Sequence, residues 1–413
     1  MKRIAIFGIF LCLAGGSSLA AGKGGPVKVG EALVVSRLVS SRQQLIDNGL
    51  IELDFAKRHG YLASVLKAFD VPLQSQLLVF SKTSQLRDHI NPENPRAVYF
   101  NDQVYVAWVP GTRHIEIAAV EPDIGSVFYE LEQKQQKLPK FKRSGRCIEC
   151  HTASRSLGVP GPLVRSFPTD EEGAVDRSKG VSRVTHSTPI EDRWGGWYAT
   201  GNARAQLHRG NRFGRKGVEA EAASVTDLRE FLDVAKYPTA SSDMVAILVL
   251  EHQSHMQNLI TRLHRSSVAA MAKDGNIRQL KDQAETLLKY LLFVDEAPLK
   301  GPVRGSTDFA RIFQARGIND GKGRSLRDFD LKRRLFKYPC SYLIYSDSFK
   351  QMHPAMRDYL WRRLHIILTG QDNSPVYDNL TAVQRRNIRE ILTATVPALP
   401  EYWKLGTAVE ESK

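Results

Sequence analysis

The hydrophobic period changes partway along this chain, and that change restricts the fold to a sheet followed by helices. Residues 76–131 hold five short runs, QLLVFS, AVYF, VYVAWV, IEIAAV and VFYEL, rich in Val, Ile, Tyr and Phe. NPENP, ND and PGTRH separate them, and these turn compositions predict a small antiparallel sheet. Asn101-Asp102 predicts a hairpin joining AVYF to QVYVAWV. From about residue 224 the spacing turns helical. Ser242 or Asp243 can cap a helix running through MVAILVLEHQSHMQNLITRLH towards Gly275, and a second follows in NIRQLKDQAETLLKYLLFV. Pro354 and Gly370 bracket another, and Thr381-Ala382-Val383-Gln384 reads as a capping box. The expected class is α+β: a small antiparallel sheet in the N-terminal part, an irregular segment, and a mainly α-helical C-terminal half.

Around these elements, Asp54–Asp70 has helical spacing through Phe55, Leu62, Val65, Leu66 and Phe69, interrupted by Gly60. Lys134–Arg146 is a basic connector, residues 141–215 are rich in Gly, Pro and Arg without period, and 301–335 reads as a charged loop or docking surface. The divisions expected are 1–20, 21–140, 141–215 and 216–413.

Residues 1–20 read as an export signal. Lys2 and Arg3 supply the positive start, Ile4 to Ala14 the apolar run, and Ser18-Leu19-Ala20 a small-x-small cleavage site. The run is shorter than the roughly 20 residues of a spanning helix, and no later stretch crosses a bilayer by composition. Loss of Lys2 and Arg3 takes the formal charge from +14 to +12. A basic surface suits an acidic protein partner, anionic lipid or nucleic acid, and export argues against the last.

The motif with chemical meaning is Cys147-Ile148-Glu149-Cys150-His151. C-x-x-C-H is the spacing at which two thiols add to the vinyl groups of one haem while the following histidine ligates iron from the proximal side. A redox dithiol would sit at the head of a helix in a βαβ pattern, and a zinc site would need two more ligands with ligand spacing. Neither context surrounds this motif. Cys340, in KYPCSYLIYS, reads as a buried, inert thiol, with intermolecular pairing as its alternative.

The second axial position decides between an electron carrier and an open-iron enzyme. On the helix starting near 243, His252 and Met256 share a face with Val245, Val249, Leu259 and Leu263. Either is a candidate distal ligand, and His252 is also a candidate distal acid/base. His186 competes with them, lying just before Trp194-Gly195-Gly196-Trp197-Tyr198, whose aromatics can wall a haem or simply pack a turn. Arg146, Arg155, Arg165, Arg183 and Arg193 flank the motif as candidate partners for propionates.

With these residues in view, the chain resembles large single-haem cytochrome c domain proteins of the bacterial envelope. CIECHTASR, RWGGWYATG, VLEHQ and YPCSYLIYS carry the resemblance, from about residue 76 to Trp403. It implies thioether attachment at Cys147 and Cys150 and proximal ligation by His151. The chain departs from small soluble cytochromes c, because no methionine lies between Cys150 and Met244. The expected function is a periplasmic c-type cytochrome with one covalent haem, passing electrons to a redox partner protein through Fe(III)/Fe(II). The alternative is a haem enzyme with an open distal site acting on peroxide or a small organic substrate, and a third class is a haem-bearing binding or sensor module.

Overall fold

A computed structural model describes residues 35–203, 206–214 and 225–404. The export signal at 1–20, with Cys12, and the glycine-rich start at Gly22 to Gly25 lie outside the described residues.

Six strands form one antiparallel sheet in sequential order: β1 (Leu77–Val79), β2 (Arg96–Phe100), β3 (Val104–Trp108), β4 (His114–Glu121), β5 (Gly125–Glu132) and β6 (Phe141–Arg143). The five expected runs become β1 to β5. The Asn101-Asp102 hairpin joins β2 to β3, where Asn101 Oδ1 accepts from Gln103 N at 2.9 Å and Val104 N at 2.8 Å. β6, an edge strand in the basic connector, is an addition to the expected set.

Both faces of this sheet are covered, which is why β3 is buried along its whole length rather than alternating. One face, with Tyr99, Val106 and Ile117, packs on helix α1 (Arg37–Asp47), helix α2 (Leu62–Ala68) and Leu228 to Tyr237. Of the helix expected over Asp54–Asp70, α2 alone is helical. Gly60, at φ +56°, closes a turn bridged to Ala56 and faces the Gln133 amide, which a Cβ would meet at 2.2 Å. The chain there needs a left-handed residue, so the helix starts after it.

The other face, with Leu77, Val79, Tyr105 and Val120, joins the core of the helical half. Its central element is α4 (Met244–Asp274), preceded in chain order by the one-turn α3 (Ile148–His151). Asp243 caps α4, accepting from Val245 N at 2.9 Å and Ala246 N at 3.1 Å, and Gly275 ends it at φ +64°. α5 (Lys281–Leu291), α6 (Phe309–Ala315), α7 (Asp347–Lys350), α8 (Pro354–Leu368) and α9 (Ala382–Thr395) follow. The Thr381 capping box of α9 forms as expected, and α6 interrupts the segment read as loop. The described residues make one unit, in which sheet, irregular segment and helices border a common cleft.

Candidate cofactor site

The cleft lies on the sheet face turned towards α4. Side chains alternate along a strand, so Val98, Ala107 and Ala118 share this face. Their shortness leaves the middle of the floor low. Phe128 and Tyr105 flank Ala118 in one cross-strand row, Tyr105–Ala118–Phe128. The irregular segment walls one side with α3 and Pro162 to Arg165, and Trp197, Leu250 and Ser254 wall the other elements' side. The cleft opens to solvent, and the space between its walls, open mouth included, is about 1250 Å³.

Cys147, Cys150 and His151 all line it. They occupy positions i, i+3 and i+4 around one helical turn, which puts them on a common face. Both thiols are free, Cys147 half-buried and Cys150 exposed. Burial pushes the Cys147 thiol up, and its Sγ lies 3.8 Å from Ser144 Oγ. An attacking redox thiolate requires the opposite shift. The motif also follows an antiparallel edge strand rather than a βαβ crossover.

His151 is held in one orientation. Its Nδ1 lies 2.8 Å from the Gly161 carbonyl oxygen, and the Gly161 amide donates back to the His151 carbonyl at 3.0 Å. A carbonyl only accepts, so Nδ1 carries the proton and Nε2 keeps its lone pair. Burial lowers the imidazole's pKa from its usual value, favouring the neutral form, and the Phe128 ring lies 5.0 Å away. Among the described residues no group of three His, Cys, Asp or Glu side chains is placed to hold a metal ion. The cleft offers one imidazole, the number of proximal ligands that a porphyrin iron takes.

Two arginines line the cleft. Arg96 pairs with Glu116, Nη2 to Oε2 at 2.5 Å. Arg165 donates to the Thr83 carbonyl at 2.6 Å and has no acidic partner among the described residues. Burial, then the like charges of Arg155 and Arg177, bring its pKa down to about 10. It is a guanidinium short of a counter-charge. Of the other flanking arginines, Arg146 pairs with Glu130 on β5 and Arg193 with Glu251, while Arg155 and Arg183 do not line the cleft. Arg96 and Glu116 escaped the sequence reading. Their signal was parity: both fall on the strand face that otherwise carries Val98, Ala107 and Ala118.

The three distal candidates do not line this cleft. His186 Nδ1 lies 3.1 Å from His252 Nδ1, His252 Nε2 lies 2.7 Å from Ser341 Oγ, and His186 stacks on Tyr290 at 3.8 Å. Burial holds His252 at about 3 and His186 well below its usual value, so both are neutral. Met256 is wholly enclosed by apolar side chains. The two tryptophans part company as well. Trp197 lines the cleft, donating through Nε1 to Arg165 O at 2.7 Å, whereas Trp194 donates to buried Glu251 at 3.0 Å. The intervening glycines let backbone approach Ser81 and Phe167 rather than the cleft. Cys340 is buried, and burial pushes its thiol far up, which leaves it unreactive.

No protein-family model, curated protein or solved structure matches the chain. Among the described residues, no helix is long and apolar enough to cross a membrane.

Proposed function

We propose that this chain is an exported c-type haem protein of the bacterial periplasm, with one haem bound covalently through Cys147 and Cys150 and ligated proximally by His151. The observation that carries the reading is that both free thiols and an imidazole with its Nε2 lone pair available face one cleft with a low apolar floor. When bound, the haem supplies reversible one-electron exchange between Fe(III) and Fe(II). The chain's own residues hold and tune it. Gly161 fixes the tautomer and rotation of His151. Val98, Ala107, Ala118 and Phe128 would give a bound haem an apolar surface that excludes water. Arg165, lacking a carboxylate partner, is the propionate anchor. Exposed Cys150 would leave the bound group open to electron exchange with a redox partner protein, and the +12 formal charge that remains without Lys2 and Arg3 favours an acidic one.

Expression in a host that exports and matures cytochromes c tests this. The expected product keeps haem after denaturing electrophoresis, gives one haem per chain, and cycles between oxidised and reduced spectra. Its mass corresponds to a chain starting after Ala20. Cys147→Ser/Cys150→Ser loses the covalent haem. A wild-type chain that releases its haem on denaturation, or binds none, overturns the proposal.

A further inference from the structure

We infer that the basic segment 134–146 is a docking surface for anionic phospholipid, its charges meeting headgroup phosphates while Leu138 enters the apolar layer below them. Such a surface operates with or without a haem in the cleft. Over these 13 residues the chain carries Lys134, Lys137, Lys140, Lys142, Arg143 and Arg146 and no carboxylate. All six are exposed. Lys140 pairs with Asp47 at 2.5 Å and Arg146 with Glu130 at 2.8 Å, while the other four form no ion pair among the described residues.

These charges lie on and just before β6, the last strand of the sheet. β5 pairs with one side of it, and no strand among the described residues pairs with the other. Lys142 and Arg143 alternate to its two faces, and both side chains are long enough to reach past an outermost strand. One or two lysines commonly guard such an edge against pairing with another chain. That role does not account for Lys134 and Lys137, which precede the strand, nor for Leu138, 46% exposed among the charges.

The loop before β6 is held ready. Tyr61 Oη accepts from Gln136 N at 2.8 Å, Gln43 Nε2 donates to Pro139 O at 3.1 Å, and Gln43 Oε1 accepts from Phe141 N at 2.8 Å. The backbone is thus fixed on both sides of Leu138, so docking pays little for ordering it. Leu50, 71% exposed, follows three residues after the Asp47 that Lys140 pairs with, and adds a second apolar side chain near the loop. Carboxylates of an acidic protein would answer the charges but offer these leucines no apolar layer. A phospholipid surface answers both, with phosphates for the cations and acyl chains beneath them. The segment ends at Arg146, beside Cys147, so docking keeps the cysteine motif close to the bilayer.

The experiment mixes the purified mature protein with vesicles of phosphatidylcholine, alone or with phosphatidylglycerol, and reads binding by sedimentation. Expected is binding to the anionic vesicles only, lost at about 1 M salt, where charges are screened within roughly 3 Å. Lys134→Gln/Lys137→Gln/Lys142→Gln weakens it roughly a hundredfold, about fivefold per charge. Leu138→Gln weakens it about three- to tenfold at unchanged charge. Lys273→Gln/Lys281→Gln/Lys289→Gln removes as much charge from exposed positions in the helical half and binds as wild type. Equal loss from the two triple variants overturns the inference, because net charge and not this segment then attracts the vesicle. A Leu138→Gln protein that binds as tightly as wild type overturns it as well. So does failure to bind anionic vesicles, and capture on immobilised polyglutamate in that case marks the segment as a site for acidic polypeptide instead.

Discussion

The Nδ1 atom of His151 sits 2.8 Å from the carbonyl oxygen of Gly161, ten residues along an irregular segment. That contact converts a flexible imidazole into a directed one, since the proton on Nδ1 dictates which nitrogen faces the cleft. It also explains why the segment needs no regular structure. Ser156 Oγ donates to the same His151 carbonyl at 2.8 Å, and Ser126 N reaches Pro160 O at 2.8 Å, so the loop is pinned to β5 as well as to the motif.

Gly161 is therefore a sensitive position. A Cβ there would fall 1.7 Å from Oδ1 of Asn258, a buried side chain whose Nδ2 donates to Pro162 O at 2.9 Å. Gly161→Ala forces that amide to move and costs about 1–3 kcal/mol, read as a lower urea midpoint. Asn258→Ala in the same chain removes the obstruction, so the two substitutions together cost less than their sum. Strict additivity would show that Asn258 does not mediate the effect.

Arg165 carries a charge that the cleft does not neutralise. Removing a positive charge beside a haem favours the more positive, oxidised iron. Arg165→Gln is expected to lower the midpoint potential by roughly 40 mV, corresponding to about 1 kcal/mol for one electron. Spectroelectrochemical titration measures this, and a potential that rises or stays fixed contradicts the propionate role.

The strands were legible because β-branched and aromatic runs alternate with turn residues, and α4 because Asp243 and Gly275 mark its ends. Helix α1 was not. It buries only Val39 and Ile46, and its cap Ser36 is held by Glu121 and Tyr129 from β4 and β5, a tertiary signal that spacing does not carry. The wall of the cleft opposite His151 was not legible for a related reason. α4 is buried on every side from Met244 to Ser254, so its periodicity identifies an apolar face without saying which face meets the cleft. His252 and Met256 share one face, and Ser254 occupies another.

His208 gives the pH response its sign. It is 4% exposed, lies tilted against the Trp194 ring at 4.6 Å and accepts from Gly210 N at 3.1 Å. Burial, then Arg212, lowers its pKa from 6.5 to about 4. The unfolded chain therefore binds the proton first on acidification. Its contribution to stability is complete above pH 6.5 and is lost as pH falls towards 4. Against His208→Gln, the wild type should lose up to about 3 kcal/mol of stability across that window and nothing further below it. Urea denaturation at half-unit pH steps measures the difference, and a constant gap would refute the assignment.

His186, His252 and Met256 were the distal candidates by sequence, and their surroundings predict a particular pattern of variants. His186→Gln, His252→Gln and Met256→Leu each keep most of the side-chain volume while removing imidazole or thioether. The two histidines lie in one hydrogen-bonded stack with Tyr290 and Ser341, so their loss destabilises the core by about 1–3 kcal/mol. Met256→Leu, a volume-conserving exchange, costs less than about 1.5 kcal/mol. None of the three lines the cleft, so the ferric and ferrous absorption and EPR spectra of all three match wild type. A variant that turns a low-spin wild-type iron high-spin identifies its residue as the sixth ligand. That result would require α4 or the 186 segment to enter the cleft when the haem is bound, and would make the protein a closed electron carrier.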